Sequence, residues 1–441
     1  MNTPIADFVR SYAESEKTRL HMPGHKGIPA LGPEPLDITE IPGADVLYHA
    51  SGVIAESERH AARLFGSANT LYSAEGSSLC VRAMLYLALQ YARLTRRSAR
   101  ILAGRNAHSA FLSGAALLDL DVDWLRGTEL LCCAPGPEAL EERLASGDYA
   151  AVYLTSPDYL GHTAGIAALA AVCHRHGALL LIDNAHGAYL KFLTPSRHPL
   201  DLGADLCCDS AHKTLPVLTG GAYLHLSKGC PASLRTRAEA ALRLFASTSP
   251  SYLILQSLDL ANRALAGNFP MHLTVCAARV DALKQRLRAA GWLLEGDEPL
   301  KLTLCPKKRG YTGTELAAYL ESRGLVCEFA DPDYAVFMFS PLNQAEDFER
   351  LERVLLSLHA RTPVKSPPPV LQRTERVLTP REAMLAPFET LPAAKCLGRV
   401  LAAPTVSCPP AVPVLLCGER VDAAALAVFD YYGIEKLDVV K

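Results

Sequence analysis

The chain of 441 residues has no long run of one charge, no C-x-x-C pair and no internal repeat. Nor does it hold an apolar run near the ~18 residues that a bilayer-spanning helix requires. Each absence removes a class of function. Lys+Arg number 44 against 46 Asp+Glu, a formal net charge of −2. No basic stripe is therefore available to make nucleic acid or an anionic membrane the main partner. Without paired C-x-x-C ligands, a zinc site is not expected. Met1 to Leu20 is polar and of mixed charge, so no signal peptide is expected there. Cysteine itself is not scarce. Its count of 13 is odd, and Cys132-Cys133 and Cys207-Cys208 sit inside apolar, strand-like runs. That pattern fits buried free thiols in a reducing, cytoplasmic compartment better than disulfides.

What is present is apolar: 49% of the residues, enough for a large core divided between two domains. Residues 1–50 read as an N-terminal arm, a short helix from Pro4 to Glu16 and then a Pro/Gly-rich segment through Gly43. His21 and His25 have a helical metal-ligand spacing, but Pro23 and Gly24 preclude a regular helix between them, and no metal is assigned. Residues 51–265 alternate between helix and strand, the α/β pattern of a doubly wound parallel sheet. Strands are expected at Arg100–Ala103, Ala151–Thr155, Leu179–Asp183, Asp205–Asp209 and Ala222–Leu226. Helices are expected at Glu56–Phe65, Ser77–Leu94, Gly165–His176 and Pro231–Phe245. Residues 266–441 change to shorter α+β units, with a Pro-rich linker near 362–370.

Three stretches of the middle region carry chemistry. Gly76-Ser77-Ser78 opens a helix after Asn69 to Glu75, and such a start is a phosphate cup of unpaired N–H groups, hydroxyls and the positive helix end. Ala178 to Ile182 is a buried strand that ends in Asp183, and ligands of open α/β sheets sit outside such carboxyl ends. An Asp there can pair with a protonated pyridine nitrogen. Asp209 to Pro216 follows another apolar run and contains Lys213, where desolvation would favour a neutral amine able to form a Schiff base with a carbonyl. Cup, Asp and Lys in that order describe a pyridoxal phosphate site of the aspartate aminotransferase fold type.

Further matches surround these three: His21 to Gly27, Arg105-Asn106-Ala107-His108, Thr155-Ser156-Pro157-Asp158-Tyr159, Asp183 to Ala188, Ser210 to Pro216 and Ser247 to Tyr252. On these motifs the chain resembles the Orn/Lys/Arg decarboxylase family, in its short form without an N-terminal receiver-like domain. The resemblance implies an α/β, mostly parallel large domain like that of pyridoxal-phosphate-dependent transferases, with a smaller α+β C-terminal domain. It implies decarboxylation of a basic amino acid, arginine before lysine and ornithine, as part of polyamine metabolism. Lys213 would hold the cofactor and Asp183 would face its ring nitrogen. His108 would stack on the ring. His212 would contact phosphate or substrate carboxylate, and Lys213 or His212 would return a proton to Cα. Gly76, Ser77, Ser78 and Ser210 would bind phosphate, with Ser156 and His186 also lining the cofactor. Ser247 and Thr248 would reach the phosphate of a partner subunit, which makes a homodimer or higher homo-oligomer the expected form. As a plain structural element, the same segment reads as a helix start with Pro250 at the first helical position.

Some positions depart from the family pattern. Asn184 replaces Glu, Ser109 replaces Lys and Val46 replaces Asp; the last two bear on substrate identity more than on chemistry. Cys408-Pro409-Pro410-Ala411-Val412-Pro413 and Gly418-Glu419-Arg420 echo C-terminal family segments, with Cys417 in place of Pro. Two alternatives stay open. An aminotransferase or carbon–sulfur lyase would use the same Asp183, Lys213 and cup and add an Arg, such as Arg399, to clamp the substrate carboxylate. A cofactor-binding protein without turnover is the other.

Overall fold

The computed structural model describes residues 1–127, 131–370, 374–404 and 412–441, so Cys408 to Ala411 lie outside the described residues. The main sheet has seven strands: β1 (Asn69–Ser73), β2 (Arg100–Gly104), β3 (Asp121–Leu125), β4 (Ala151–Thr155), β5 (Leu179–Asp183), β6 (Leu206–Asp209) and β7 (Ala222–Leu226). Their order is β1-β7-β6-β5-β4-β2-β3. β4, β5 and β6 run parallel, whereas β7 is antiparallel to both β6 and β1. Every residue of β5, β6 and β7 is buried, as an apolar strand covered on both faces must be. The described chain divides into two compact units.

The first unit comprises Met1–Arg100, Gly136–Ser156 and Gly165–Leu273. Its helix α1 (Pro4–Ala13) is held at its start by Asp259, whose Oδ2 accepts the N–H groups of Ile5 (2.9 Å) and Ala6 (3.0 Å). A carboxylate suits this place because the first N–H groups of a helix lack internal partners. Helix α2 (Val53–Phe65) ends at Gly66, and α3 (Gly76–Thr95) buries Leu79, Cys80, Ala83, Met84, Leu87 and Ala88 along one stripe. His21 and His25 find separate partners: the Tyr12 hydroxyl at 2.5 Å and Asp37 at 3.3 Å, respectively.

Three local expectations are corrected. β1 and β3 are strands beyond those the sequence pattern predicts. The single helix expected over Pro231–Phe245 is two, Ala232–Arg235 and Ala238–Arg243. There the Thr236 hydroxyl and the Arg237 guanidinium both donate to the Ser233 carbonyl, in competition with the helix ladder. The helix after Ser247 is Tyr252–Leu265 with Ser251 as its N-cap, so Pro250 precedes the helix rather than opening it.

The second unit comprises Ile101–Pro135, Pro157–Ala164 and Thr274–Lys441. It contains α4 (Ser109–Leu118) and an antiparallel sheet built from β8 (Leu294–Glu295), β9 (Lys301–Leu304), β10 (Phe329–Ala330) and β11 (Ala335–Met338), ordered β10-β11-β9-β8. A two-stranded sheet, β12 (Phe388–Pro392) with β13 (Lys436–Val440), closes the chain over a core that includes Leu401, Val414, Val428 and Phe429.

One buried acid makes the first unit pH-sensitive. Glu58 of α2 accepts the Tyr72 N–H at 2.8 Å. Burial pushes its carboxyl up to about 8, against the pull of that N–H, from an ordinary value of 4.5. The native state thus keeps a proton that the unfolded chain loses above about pH 4.5, so this group's contribution is full below that value and is lost as pH rises through about 8. Glu58→Gln keeps the acceptor oxygen and removes the charge. Its melting temperature is expected to exceed the parent's at alkaline pH and to fall less across the neutral range. Parallel pH profiles for the two proteins would contradict this.

Candidate active site

Register places Asp183 at the carboxyl end of β5 between Thr155 of β4 and Cys208 of β6. Its Oδ1 accepts from the Ala185 N–H (3.1 Å) and the Cys208 thiol (3.6 Å), and its Oδ2 accepts from the Tyr153 hydroxyl (2.9 Å). Burial and then the Asp183 charge push the Tyr153 hydroxyl well above its ordinary range, so it stays a donor. A carboxylate offers about four acceptor sites. One site on Oδ2 remains for a further donor. Ser156 follows β4, and its N–H donates to the Asp183 carbonyl (3.0 Å).

Lys213 lies on the single helical turn Ala211–Thr214 after β6, and its Nζ is 2.8 Å from His186 Nε2. The exits of β5 and β6 therefore bring the amine and an imidazole together. His212 approaches the Gly221 carbonyl through Nδ1 at 3.0 Å. A carbonyl only accepts, so Nδ1 is the donor there and Nε2 is left for another partner.

The cup assembles in the same unit. Ser210 Oγ donates to Ser77 Oγ at 2.8 Å, and Ser78 shares the first turn of α3. The N-cap residue, Glu75, makes no side-chain bond to that turn, so the side chain at the cap leaves the first N–H groups to another acceptor. Gly76 has φ 72°, and a Cβ there would meet nothing within 4 Å, which leaves open space over the helix start. Gly220 backs the cup by accepting the Gly76 N–H at 2.7 Å. A Cβ on Gly220 would lie 3.1 Å from the Ala74 carbonyl, and its φ of 98° favours glycine. Two facing hydroxyls, an uncapped helix start, an acceptor site on Asp183 and the Lys213 amine fit pyridoxal phosphate.

Ser247 and Thr248 are exposed. The Ser247 N–H donates to Glu75 Oε1 (2.8 Å), and its Oγ accepts the Ser249 N–H (3.1 Å). His108 belongs to the second unit, where it caps α4 by accepting the Ala110 N–H at Nδ1 (3.2 Å). Two sequence motifs of that unit meet beside it in the chain. Arg105 makes a bidentate pair with Glu419, Nη1 to Oε1 at 2.7 Å and Nη2 to Oε2 at 2.6 Å, both side chains buried. This fork geometry suits guanidinium and carboxylate, and it ties the loop after β2 to the Gly418-Glu419-Arg420 echo.

No motif in the sequence marks the buried network that ends β6, four residues before Lys213. Asp209 is 0% exposed. Its Oδ2 accepts from Nε2 of His198 and of His225, each at 3.1 Å, and its Oδ1 from Asn184 Nδ2 at 2.7 Å. Burial pushes this carboxyl up, but His198 and His225 outweigh burial and hold it below the ordinary range. Burial in turn lowers the His225 imidazole, and His225 Nδ1 lies 2.8 Å from the Thr70 hydroxyl. Asn184 is explained here: a Glu in its place would set a second carboxylate against Asp209. A buried Asp closing an apolar strand was the available signal.

Hydrogen bonds to a charged group contribute about 1.5–3 kcal/mol. Ser210→Ala is therefore expected to weaken pyridoxal phosphate binding about 10–100-fold in an equilibrium titration of the apoprotein, with the fold retained by circular dichroism. Unchanged affinity would remove Ser210 from the cup.

Residues 3–303 match the family model described as Orn/Lys/Arg decarboxylase, major domain. The uncharacterized protein YaaO of Bacillus subtilis (strain 168) is 31% identical, over 96% of this chain and 92% of that protein. An arginine decarboxylase of Halalkalibacterium halodurans is 26% identical, over 96% of this chain and 92% of that one. Among solved structures, the Francisella novicida lysine decarboxylase LdcF superposes with a TM-score of 0.80 at 16% identity, covering 100% of this chain and 81% of that one, a likeness of fold. Taken with a site shaped for pyridoxal phosphate, the match establishes that this chain belongs to the Orn/Lys/Arg decarboxylase family of pyridoxal-phosphate-dependent enzymes.

Proposed function

We propose that the chain decarboxylates arginine in preference to lysine and ornithine, releasing CO2 and the corresponding amine for polyamine metabolism in the cytoplasm. The observation that carries the substrate choice is alignment along nearly the whole chain with proteins named arginine decarboxylase, in Halalkalibacterium halodurans and in Bacillus subtilis. Pyridoxal phosphate, when bound, supplies an electron-poor ring able to accept the electron pair that departing CO2 leaves behind. The chain's own residues do the rest. Asp183 offers its remaining Oδ2 site to a protonated ring nitrogen and keeps the proton there. The Gly76–Ser78 turn and Ser210 hold the phosphate, and His108 covers the ring face.

Proton delivery to Cα falls to Lys213 Nζ, held against His186, or to His212, whose ring is oriented by the Gly221 carbonyl and gives a proton from Nε2 only after taking one up there. The distal guanidinium of the substrate calls for a carboxylate partner, where bidentate pairing would separate it from a single ammonium. In this reading the enzyme is a homodimer, and the exposed Ser247 and Thr248 serve the partner's phosphate.

Two experiments test these points. Purified protein with pyridoxal phosphate, offered arginine, lysine and ornithine in parallel, is expected to release CO2 and amine fastest from arginine, and from none with Lys213→Ala. Faster turnover of lysine or ornithine would overturn the preference; no amine from any would overturn the activity proposed. For the dimer, Lys213→Ala protein mixed and reassembled with Ser247→Ala/Thr248→Ala protein is expected to regain activity, because one site then has both an intact Lys213 and an intact partner segment. No recovery, with mixed dimers present, would place the segment at its own subunit's site.

A further inference from the structure

The second unit holds a cluster of ligating side chains that decarboxylation does not use. Cys132, Asp158 and His162 bring a thiol sulfur, a carboxylate oxygen and an imidazole nitrogen within 4.8 Å of one another. The arrangement is fixed from behind. Asp158, 3% exposed, accepts the N–H groups of Leu160 (3.0 Å) and His162 (2.9 Å) at Oδ1, which turns Oδ2 toward His162 Nδ1 at 3.0 Å. The loop that carries both residues is pinned in turn. Lys301 Nζ donates to the Asp158 carbonyl (3.0 Å), and the Thr303 hydroxyl donates to the Leu160 carbonyl (2.7 Å). The Asp297 N–H donates to the Gly161 carbonyl (2.9 Å). On the far side of the ring, His162 Nε2 faces Glu295 Oε2 at 3.5 Å.

We propose that Cys132, Asp158 and His162 form a site for a zinc-class divalent cation, with Glu295 holding the imidazole from behind. The donor set decides the class: thiolate with imidazole and carboxylate is the company of zinc, whereas magnesium and calcium take oxygen alone. Ligand bonds of about 2.0–2.3 Å put tetrahedral donors roughly 3.5 Å apart, so these three need only small side-chain movements to close on an ion. Ligation through Nδ1 leaves Nε2–H to donate to Glu295, the carboxylate–histidine–metal arrangement that fixes a ligand's tautomer. Cys132 and His162 are half-buried, which gives the ion a way in, and the fourth position falls to water. Without an ion the same groups make a hydrogen-bonded ion pair, so a proton is the competitor that zinc displaces.

The test is zinc retention by the tag-free holoenzyme after chelator treatment, zinc titration and dialysis, counted per chain by mass spectrometry of the metal. One zinc per chain is expected, lost in Cys132→Ser/His162→Ala. Glu295→Gln should keep it with about 10–100-fold weaker affinity, the usual cost of removing the partner behind a ligand. Circular dichroism and the absorption of bound pyridoxal phosphate check the fold of each variant. No retained zinc in the parent protein means an ion pair only and overturns the proposal, as does equal retention by the double variant. Should the double variant not fold, Glu295→Gln decides: unchanged affinity overturns the site.

Discussion

A single charge, the carboxylate of Asp209, sets the geometry on which the site depends. It is wholly withdrawn from water, and burying an isolated carboxylate costs many kcal/mol unless donors surround it. The chain meets that cost with His198, His225 and Asn184, contributed by a loop, by β7 and by the residue after β5. Three separate pieces of the first unit are thereby tied to the last residue of β6. Ser210 and Lys213 follow at once, so the turn that presents them inherits the rigidity of that network. Because removing one donor would leave the charge unpaired, the network is worth more intact than the sum of its contacts.

The same logic runs through Asp183. Its three donors are an N–H, a thiol and a phenol whose own ionisation burial opposes, so the carboxylate stays an acceptor with one site to spare. Apolar strands bring these groups to one edge, and polar residues appear only where each strand ends. The cup is the complement: α3 is long and apolar on its buried stripe, yet its first turn has no side-chain cap, and Gly76 keeps the space above it clear.

Much of this was legible from residues alone, for a physical reason. β4, β5 and β7 are apolar runs bounded by polar residues, and the structure places them at the expected residues. Asp183 stands out because a charged residue at the end of a buried strand is costly without purpose, and Lys213 because it follows the next such strand within four residues. β3 was hidden by Asp121 and Asp123, a residue type depleted in strands, and β1 by its overlap with the approach to the cup. Contacts between distant positions were not legible. Nothing in the sequence shows that His186 touches Lys213, that Arg105 meets Glu419, or that Asp209 needs Asn184. The Cys132, Asp158 and His162 cluster escaped for the same reason: its spacing matches no short ligand motif, and only the folded loop brings the three donors together.

Decarboxylation at this site requires Lys213, held by the network below it and by His186 beside it, to be the lysine that engages the cofactor. Borohydride reduction of the protein in the presence of pyridoxal phosphate, followed by peptide mapping, tests this directly. The prediction is a phosphopyridoxyl mass on the peptide containing Lys213 and on no other lysine. The modification on Lys191 or Lys228 instead, or no modification at all, would contradict it.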